Sequence, residues 1–159
     1  MAALALLARP GSAAQPPPEL TVHFTVFSAV PVTGLGFIPK PETAVVGVNF
    51  YPTSRSPRYE YRGSNPLRFY LASPTPPAAG GEAAVMAEVF IPLAWHEVLL
   101  LFAPMVPTGA GGMAYRVYVI DDTLARHAAG RLSFINFSGL MLSGTVDEKP
   151  LTLKEGLNA

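Results

Sequence analysis

Prolines and glycines cut this chain into short apolar runs, and this division constrains the fold more than any other feature of the sequence. The chain has 17 prolines and 14 glycines, and most of them lie between runs rich in β-branched and aromatic residues. Proline breaks helices, and both residues favour turns. The pattern therefore predicts many short strands and little helix.

The run LTVHFTVFS at 20–28 has the clearest strand pattern, because apolar and polar side chains alternate along it. Similar runs recur to the end of the chain, and together they make roughly nine to ten short strands separated by turn signals. The series predicts an all-β fold, an antiparallel β-sandwich of the immunoglobulin-like or jelly-roll type. The later runs lie at 43–51, 57–63, 66–72, 83–92, 96–104, 112–121, 131–139, 139–147 and 150–156.

The segment DDTLARHAAG at 121–130 is the single helix candidate. Asp121 or Asp122 can cap a helix near 122–129, and Gly130 suits the left-handed position that follows a helix. We therefore expect at most one short helix, which would cross between two strands.

The stretch at 131–156 is typical of sheet strands and not of a functional site. Asn136 to Gly139 indicates a bulge or tight corner between two apolar runs. Asp147 to Pro150 indicates a turn before the last run. We expect these runs to form a meander.

The charge and cysteine content exclude several classes of function. Lys+Arg and Asp+Glu both number 11, so no overall field gathers nucleic acid or an anionic membrane. The absence of cysteine excludes disulfides, thiolate nucleophiles and Cys-ligated metals. No apolar run approaches the ~20 residues of a membrane-spanning helix, so we expect no integral membrane segment. Without a phosphate-binding or dinucleotide motif, we also expect no cofactor.

The N-terminal residues MAALALLARPGSAAQ follow the pattern of a signal peptide that lacks its basic start. An apolar run at 2–8 is followed by small residues that suit cleavage before Gln15. We predict a truncated signal peptide at 1–14, a proline-rich spacer at 15–19 and a single β-sandwich domain at 20–159, with an incomplete C-terminus as an open alternative. The signal predicts an extracytoplasmic location, whether periplasmic, on the cell surface or secreted.

Positions 54–70 hold the densest charge cluster. The segment contains four of the 11 positive side chains and a single acid, Glu60. Arginine forks bind carboxylate, sulfate or phosphate groups, and tyrosine rings stack on sugars, so the segment predicts a patch for an anionic polysaccharide. The alternative is a solvated sheet face whose arginines pair with acids on neighbouring strands. The candidate residues are Arg55, Arg58, Tyr59, Tyr61, Arg62 and Arg68.

Acids and histidines are weaker candidates for catalysis. A glycosidase needs two carboxyl groups at a set separation, and Glu88 with Glu97 is one candidate pair. Asp121 with Asp122 is the other, although adjacent residues on a strand point to opposite faces. The histidines at 23, 96 and 127 have no metal-ligand spacing, so we expect no metal site.

Two further signals have a structural and a functional interpretation. Trp95, with Phe90, Phe102 and Tyr115, could form a platform for sugars, but aromatic residues in continuous apolar runs more often belong to a core. The triplet from Asn136 to Ser138 matches a glycosylation sequon, which has a high chance frequency.

Function then follows by elimination. The leading interpretation is a non-enzymatic structural or protein-interaction module at the cell envelope or outside the cell, with a protein or a surface polysaccharide as its partner. The alternative is a carbohydrate-binding module for an anionic polysaccharide that uses the arginine and tyrosine patch. A third interpretation is a small β-fold hydrolase or isomerase that uses Glu88, Glu97 or His96.

Overall fold

The computed structural model describes residues 19–72, 84–106, 113–126, 130 and 132–158. Within them all regular secondary structure is β, which confirms the all-β prediction, and no helix is long and apolar enough to cross a membrane. The predicted signal peptide at 1–14 and most of the spacer at 15–19 lie outside these residues. The strands are β1 (Leu20–Ser28), β2 (Leu35–Phe37), β3 (Val46–Gly47), β4 (Tyr59–Gly63), β5 (Leu67–Leu71), β6 (Val85–Val89), β7 (Glu97–Pro104), β8 (Tyr115–Asp121), β9 (Phe134–Asn136), β10 (Leu142–Val146), β11 (Lys149–Leu153) and β12 (Gly156–Asn158).

The described residues thus form twelve strands, more than were predicted. The sequence pattern missed β2, which is three residues long and too short to show a period. The predicted run at 43–51 contributes only the two residues of β3. The last strand, β12, was not predicted, and it begins at Gly156, the final residue of the last predicted run, where φ is 90°.

The strands are arranged in four sheets, two with four strands and two with two strands. The larger sheets have the orders β4-β1-β7-β8 and β3-β2-β5-β6, and the smaller ones pair β10 with β11 and β12 with β9. The prediction of a purely antiparallel arrangement is wrong at one pair, because β1 and β7 run parallel from His23 opposite Glu97 to Ser28 opposite Phe102. Alternation along a strand reports its faces and not its direction, so the sequence could not reveal this pairing.

Both four-stranded sheets contribute to one hydrophobic core. Phe24 of β1 meets Phe37 of β2 with ring centroids 5.0 Å apart, and Phe69 of β5 meets Phe102 of β7 at the same distance. Along β1 the side chains with even numbers are buried and those between them are partly or fully exposed, as the alternation predicts. The core therefore follows directly from the period-two pattern of the strands.

The outer face of β7 is also covered in part. Leu99 and Leu101 are buried there together with Ile120 of β8, and Ile135 of β9 packs against them. Every residue from Val98 to Phe102 is therefore buried, although alternate residues point to opposite faces.

The helix predicted near 122–129 is not present in its described part. The Asp121 carboxylate accepts the Thr123 backbone N–H at 3.2 Å, and the Arg126 N–H donates to the Thr123 carbonyl at 2.9 Å. These bonds close a single turn at the end of β8, and residues 127–129 lie outside the described residues. The aspartate thus organises a turn instead of capping a helix.

The predicted meander at 131–156 is correct in its strands and turns but wrong in its pairing. Gly139 forms the corner with a φ of 71°, and β10 and β11 form a hairpin. However, β9 pairs with β12 and not with β10. In the sequence, the β10–β11 hairpin is therefore inserted between two strands that pair with each other.

We expect Glu148→Gly to raise the free energy of unfolding by up to about 1 kcal/mol. Asp147 and Glu148 form the two-residue turn of the β10–β11 hairpin with φ values of 48° and 64°. A glutamate at positive φ is strained, whereas glycine adopts this conformation without a steric cost. Urea denaturation would measure the difference, with Glu155→Gly as the control because Glu155 does not have a positive φ. An equal loss of stability in both variants would contradict the prediction.

Candidate functional site

The tyrosines of the predicted patch face the core. Tyr61 is buried, its hydroxyl donates to the Ser64 carbonyl at 2.6 Å, and burial raises its pKa. The Tyr59 ring lies 5.4 Å from the Phe24 ring, and the Tyr59 hydroxyl accepts the Asn49 backbone N–H at 2.9 Å. Both tyrosine rings therefore contribute to packing, and on β4 the exposed face is left to charged side chains.

All four arginines of the predicted patch form ion pairs with acids. Each arginine side chain is about half exposed, so solvent screens these pairs and each contributes little stability. The arginines thus pair with acids that the sheets bring near them. The pairs are Arg55 with Asp122 (2.6 Å), Arg58 with Glu97 (2.7 Å), Arg62 with Glu60 (2.6 Å) and Arg68 with Glu88 (3.5 Å).

The four arginines are also divided among three pockets, of which Arg55 lines an apolar one on its own. Arg58 lines a small polar pocket of about 160 Å³ together with His23, Glu97 and Asp122. Arg62 and Arg68 line a different pocket of about 230 Å³. Among the described pockets, none is lined by all six predicted residues.

Ser56 holds the segment before β4 in place. Its backbone N–H donates to the Val26 carbonyl at 3.0 Å, and its hydroxyl accepts the Val26 N–H at 2.8 Å and donates to the Pro57 carbonyl at 2.7 Å. A side-chain hydroxyl thus replaces a backbone partner where the β1–β4 ladder ends. This anchor positions Arg55 and Arg58 on either side of it.

The carboxylates proposed for catalysis are separated. Glu88 lies on β6 and pairs with Arg68, whereas Glu97 lies on β7 of the other large sheet and pairs with Arg58. The structure therefore does not bring this pair together.

The adjacent aspartates bind different arginines. Asp122 meets Arg55, and Asp121 meets Arg126 at 3.5 Å. Burial raises the pKa of Asp121, but hydrogen bonds from Thr123 and the charge of Arg126 outweigh this effect and keep the pKa below its ordinary value. Asp121 is therefore ionised at neutral pH and is suited to structural pairing rather than to proton donation.

The side chains of His23 and His96 have different partners, although the His23 backbone N–H donates to the His96 carbonyl at 2.8 Å. His23 Nε2 is 4.0 Å from a Glu60 carboxylate oxygen, and His96 Nδ1 is 3.4 Å from the Thr21 carbonyl oxygen. His127 lies outside the described residues. Across the described part of the chain, no group of three or more His, Asp or Glu side chains could hold a metal ion.

The aromatic residues considered as a sugar platform do not share a surface. Phe102 is buried in the core, and Trp95 and Tyr115 pack against it. Phe90 is separate from that packing, with 67% of its surface exposed. These positions agree with the core interpretation for three of the four rings.

The sequon asparagine is buried. Asn136 donates from Nδ2 to the Leu140 carbonyl at 2.6 Å and to the Leu153 carbonyl at 3.2 Å. Its Oδ1 accepts both the Ser138 N–H and the Ser138 hydroxyl. Because every polar atom of this amide is used inside the fold, Asn136 orders the corner after β9 and does not present itself for glycosylation.

The sequence patterns missed an apolar groove on the outer face of the β1–β7 pair. The groove has a volume of about 500 Å³, and its floor is formed by Leu99, Leu101 and Ala103 of β7. Val30 and Phe137 also line the groove, and 39% and 44% of their surface is exposed. The uninterrupted apolar run of β7 was the one available signal, because a strand apolar on both faces needs a cover on both.

Comparison of the chain with protein-family models, curated proteins and solved structures finds no match. The groove and the two polar pockets are therefore the features from which a function can be inferred.

Proposed function

We propose that the protein is an exported, non-enzymatic β-sandwich module that binds another protein. The sandwich assignment is supported by the two four-stranded sheets that share one core. Export is supported by the apolar run and small residues before Gln15. The binding role is supported by one observation, the apolar groove beside β7.

The size and lining of the groove suit an extended segment of a partner protein. Leu99, Leu101 and Ala103 point into it from alternate positions of one strand, which places them about 6.6 Å apart. Alternate side chains of an extended peptide have the same spacing, so they match the floor of the groove.

More apolar side chains follow the groove in the sequence. After Phe137, the corner and the start of β10 expose Leu140, Met141 and Leu142, of which Met141 has 71% of its surface exposed. Exposed apolar side chains are typical of interaction sites when they lie together on a surface, so these three are candidates for further contacts with a partner. The arginines of the predicted patch, in contrast, are paired with acids.

A displayed library of short peptides would test the proposal. We expect the protein to select peptides with apolar residues at alternate positions. We also expect Phe137→Asp to weaken binding of the selected peptide about tenfold or more, because a charge at the side of the groove must be desolvated on binding. Calorimetric titration would measure the affinities.

The matched control is Phe90→Asp, which introduces the same charge at an exposed phenylalanine outside the groove. Val30→Asp provides a second groove variant, since the Phe137 ring also packs 4.3 Å from the Tyr118 ring and its loss could affect folding. Selection of no peptide, or equal weakening by Phe90→Asp, would exclude the groove as the binding site.

A further inference from the structure

The charged residues that line one of the polar pockets, Lys40, Arg62 and Arg68, are all positive. This pocket lies between the segment after β2 and strands β4 and β5, and its volume is about 230 Å³. Its charged lining residues are these three cations, and none of the described residues that line it is acidic. The other polar pocket differs, because Glu97 and Asp122 line it beside Arg58.

The acids that pair with these arginines lie outside the lining and leave donors free. Arg62 donates to Glu60 from Nε, at 2.6 Å, and Arg68 approaches Glu88 with Nε, at 3.5 Å. The terminal amino groups of both guanidiniums donate no hydrogen bond to another residue that the structure describes. Two arginines therefore keep planar donor groups for an anion in the pocket.

Lys40 is held in position by its backbone. The Lys40 N–H donates to the Thr43 hydroxyl at 3.3 Å, and that hydroxyl donates to the Lys40 carbonyl at 2.7 Å. One residue earlier, the Pro39 carbonyl accepts the Arg62 N–H at 2.8 Å, which ties this segment to β4. No carboxylate of the described residues lies within 4.0 Å of the Lys40 ammonium.

The electrostatics agree with this geometry. The hydrogen bond and charge of Arg62 lower the pKa of Glu60, and the charge of Lys40 contributes in the same direction. The positive charges of both cations thus act on the carboxylate that is bound to Arg62, and a ligand in the pocket would lie close to the same charges.

From these contacts we propose that the pocket binds the carboxylate or sulfate group of an acidic sugar through Lys40, Arg62 and Arg68. The pocket is smaller than the roughly 300 Å³ of the smallest drug-sized sites, so it suits one anionic group and part of a ring. Pro41, Pro66 and Tyr70 supply apolar surface beside the cations. The Tyr70 hydroxyl makes no hydrogen bond to another described residue and can donate to a ring oxygen. This site is separate from the apolar groove and does not depend on it.

The test is calorimetric titration of the full chain with a galacturonate trisaccharide, a sulfated disaccharide, a neutral galactose trisaccharide and inorganic sulfate. We expect saturable binding of an acidic sugar that weakens as salt is added, because exposed charge contacts are screened. The double variant Lys40→Gln/Arg62→Gln should bind about tenfold more weakly or worse, since two charge-assisted contacts are lost. Tyr70→Phe, which removes a hydroxyl and no charge, should also weaken binding of the acidic sugar.

The matched control is Arg55→Gln/Arg58→Gln, which removes the same number of charges from arginines outside the pocket. This variant should keep the affinity of the unchanged chain, and so should the groove variant Phe137→Asp. The proposal is overturned if no acidic sugar binds, if both double variants lose binding equally, or if inorganic sulfate binds and the sugars do not.

Discussion

Phe69→Ala should lower the free energy of unfolding by about 3–5 kcal/mol, the cost of removing a fully buried phenylalanine from a packed core. Phe69 has no exposed surface, and its ring contacts Phe24, Phe37 and Phe102. Two of these three rings belong to the opposite four-stranded sheet. The cavity would therefore open where the two sheets meet, at a point that neither sheet can close alone.

Urea denaturation of Phe69→Ala and of the control Phe90→Ala would measure this effect. Phe90 has 67% of its surface exposed, so its truncation should change the free energy of unfolding by less than about 0.5 kcal/mol. Similar losses in the two variants would mean that the shared core does not hold the sheets together.

Asn136→Asp should lower the free energy of unfolding by about 2–4 kcal/mol at neutral pH. The amide nitrogen of Asn136 donates to the carbonyls of Leu140 and Leu153. In the variant a carboxylate oxygen would face these two carbonyls, so two hydrogen bonds would be replaced by repulsion in a buried site. The corner after β9 and its link to β11 would lose their common anchor.

The loss should shrink at low pH. Burial and repulsion raise the pKa of the new carboxyl in the folded state above its value in the unfolded chain. The folded state then binds the proton more tightly, so stability is recovered as the pH falls through the folded pKa toward the unfolded one. Denaturation at neutral and acidic pH would measure this, with the exposed Asn49→Asp as control and the unchanged chain as reference at each pH. A loss that does not depend on pH would contradict the repulsion.

Local patterns in the sequence predict the faces of the strands well. Alternation in 20–28 identifies the buried side of β1 because the period of a strand is present in neighbouring residues. The same pattern places Glu60 and Arg62 on an exposed face and Tyr61 in the core. Such features need no information from distant parts of the chain.

The features that local patterns cannot predict depend on which strands become neighbours. Arg58 and Glu97 pair because β7 lies beside β1, and Arg68 and Glu88 pair because β6 lies beside β5. The groove similarly needs β9 to lie over β7. Lys40 was not predicted as a pocket residue because it has no other cation near it in the sequence, and a contact between distant residues, the hydrogen bond from Arg62 to Pro39, ties its segment to β4.

The parallel pairing of β1 with β7 has a consequence for how the chain folds. β1 is an internal strand of its sheet, but its partner on one side, β7, ends only at Pro104. Contacts between residues so distant in sequence carry a large loop-closure entropy and slow folding. A chain that has not yet emerged from the ribosome as far as β7, or one truncated before Glu97, therefore leaves one edge of its most regular strand unpaired and open to strands of other molecules.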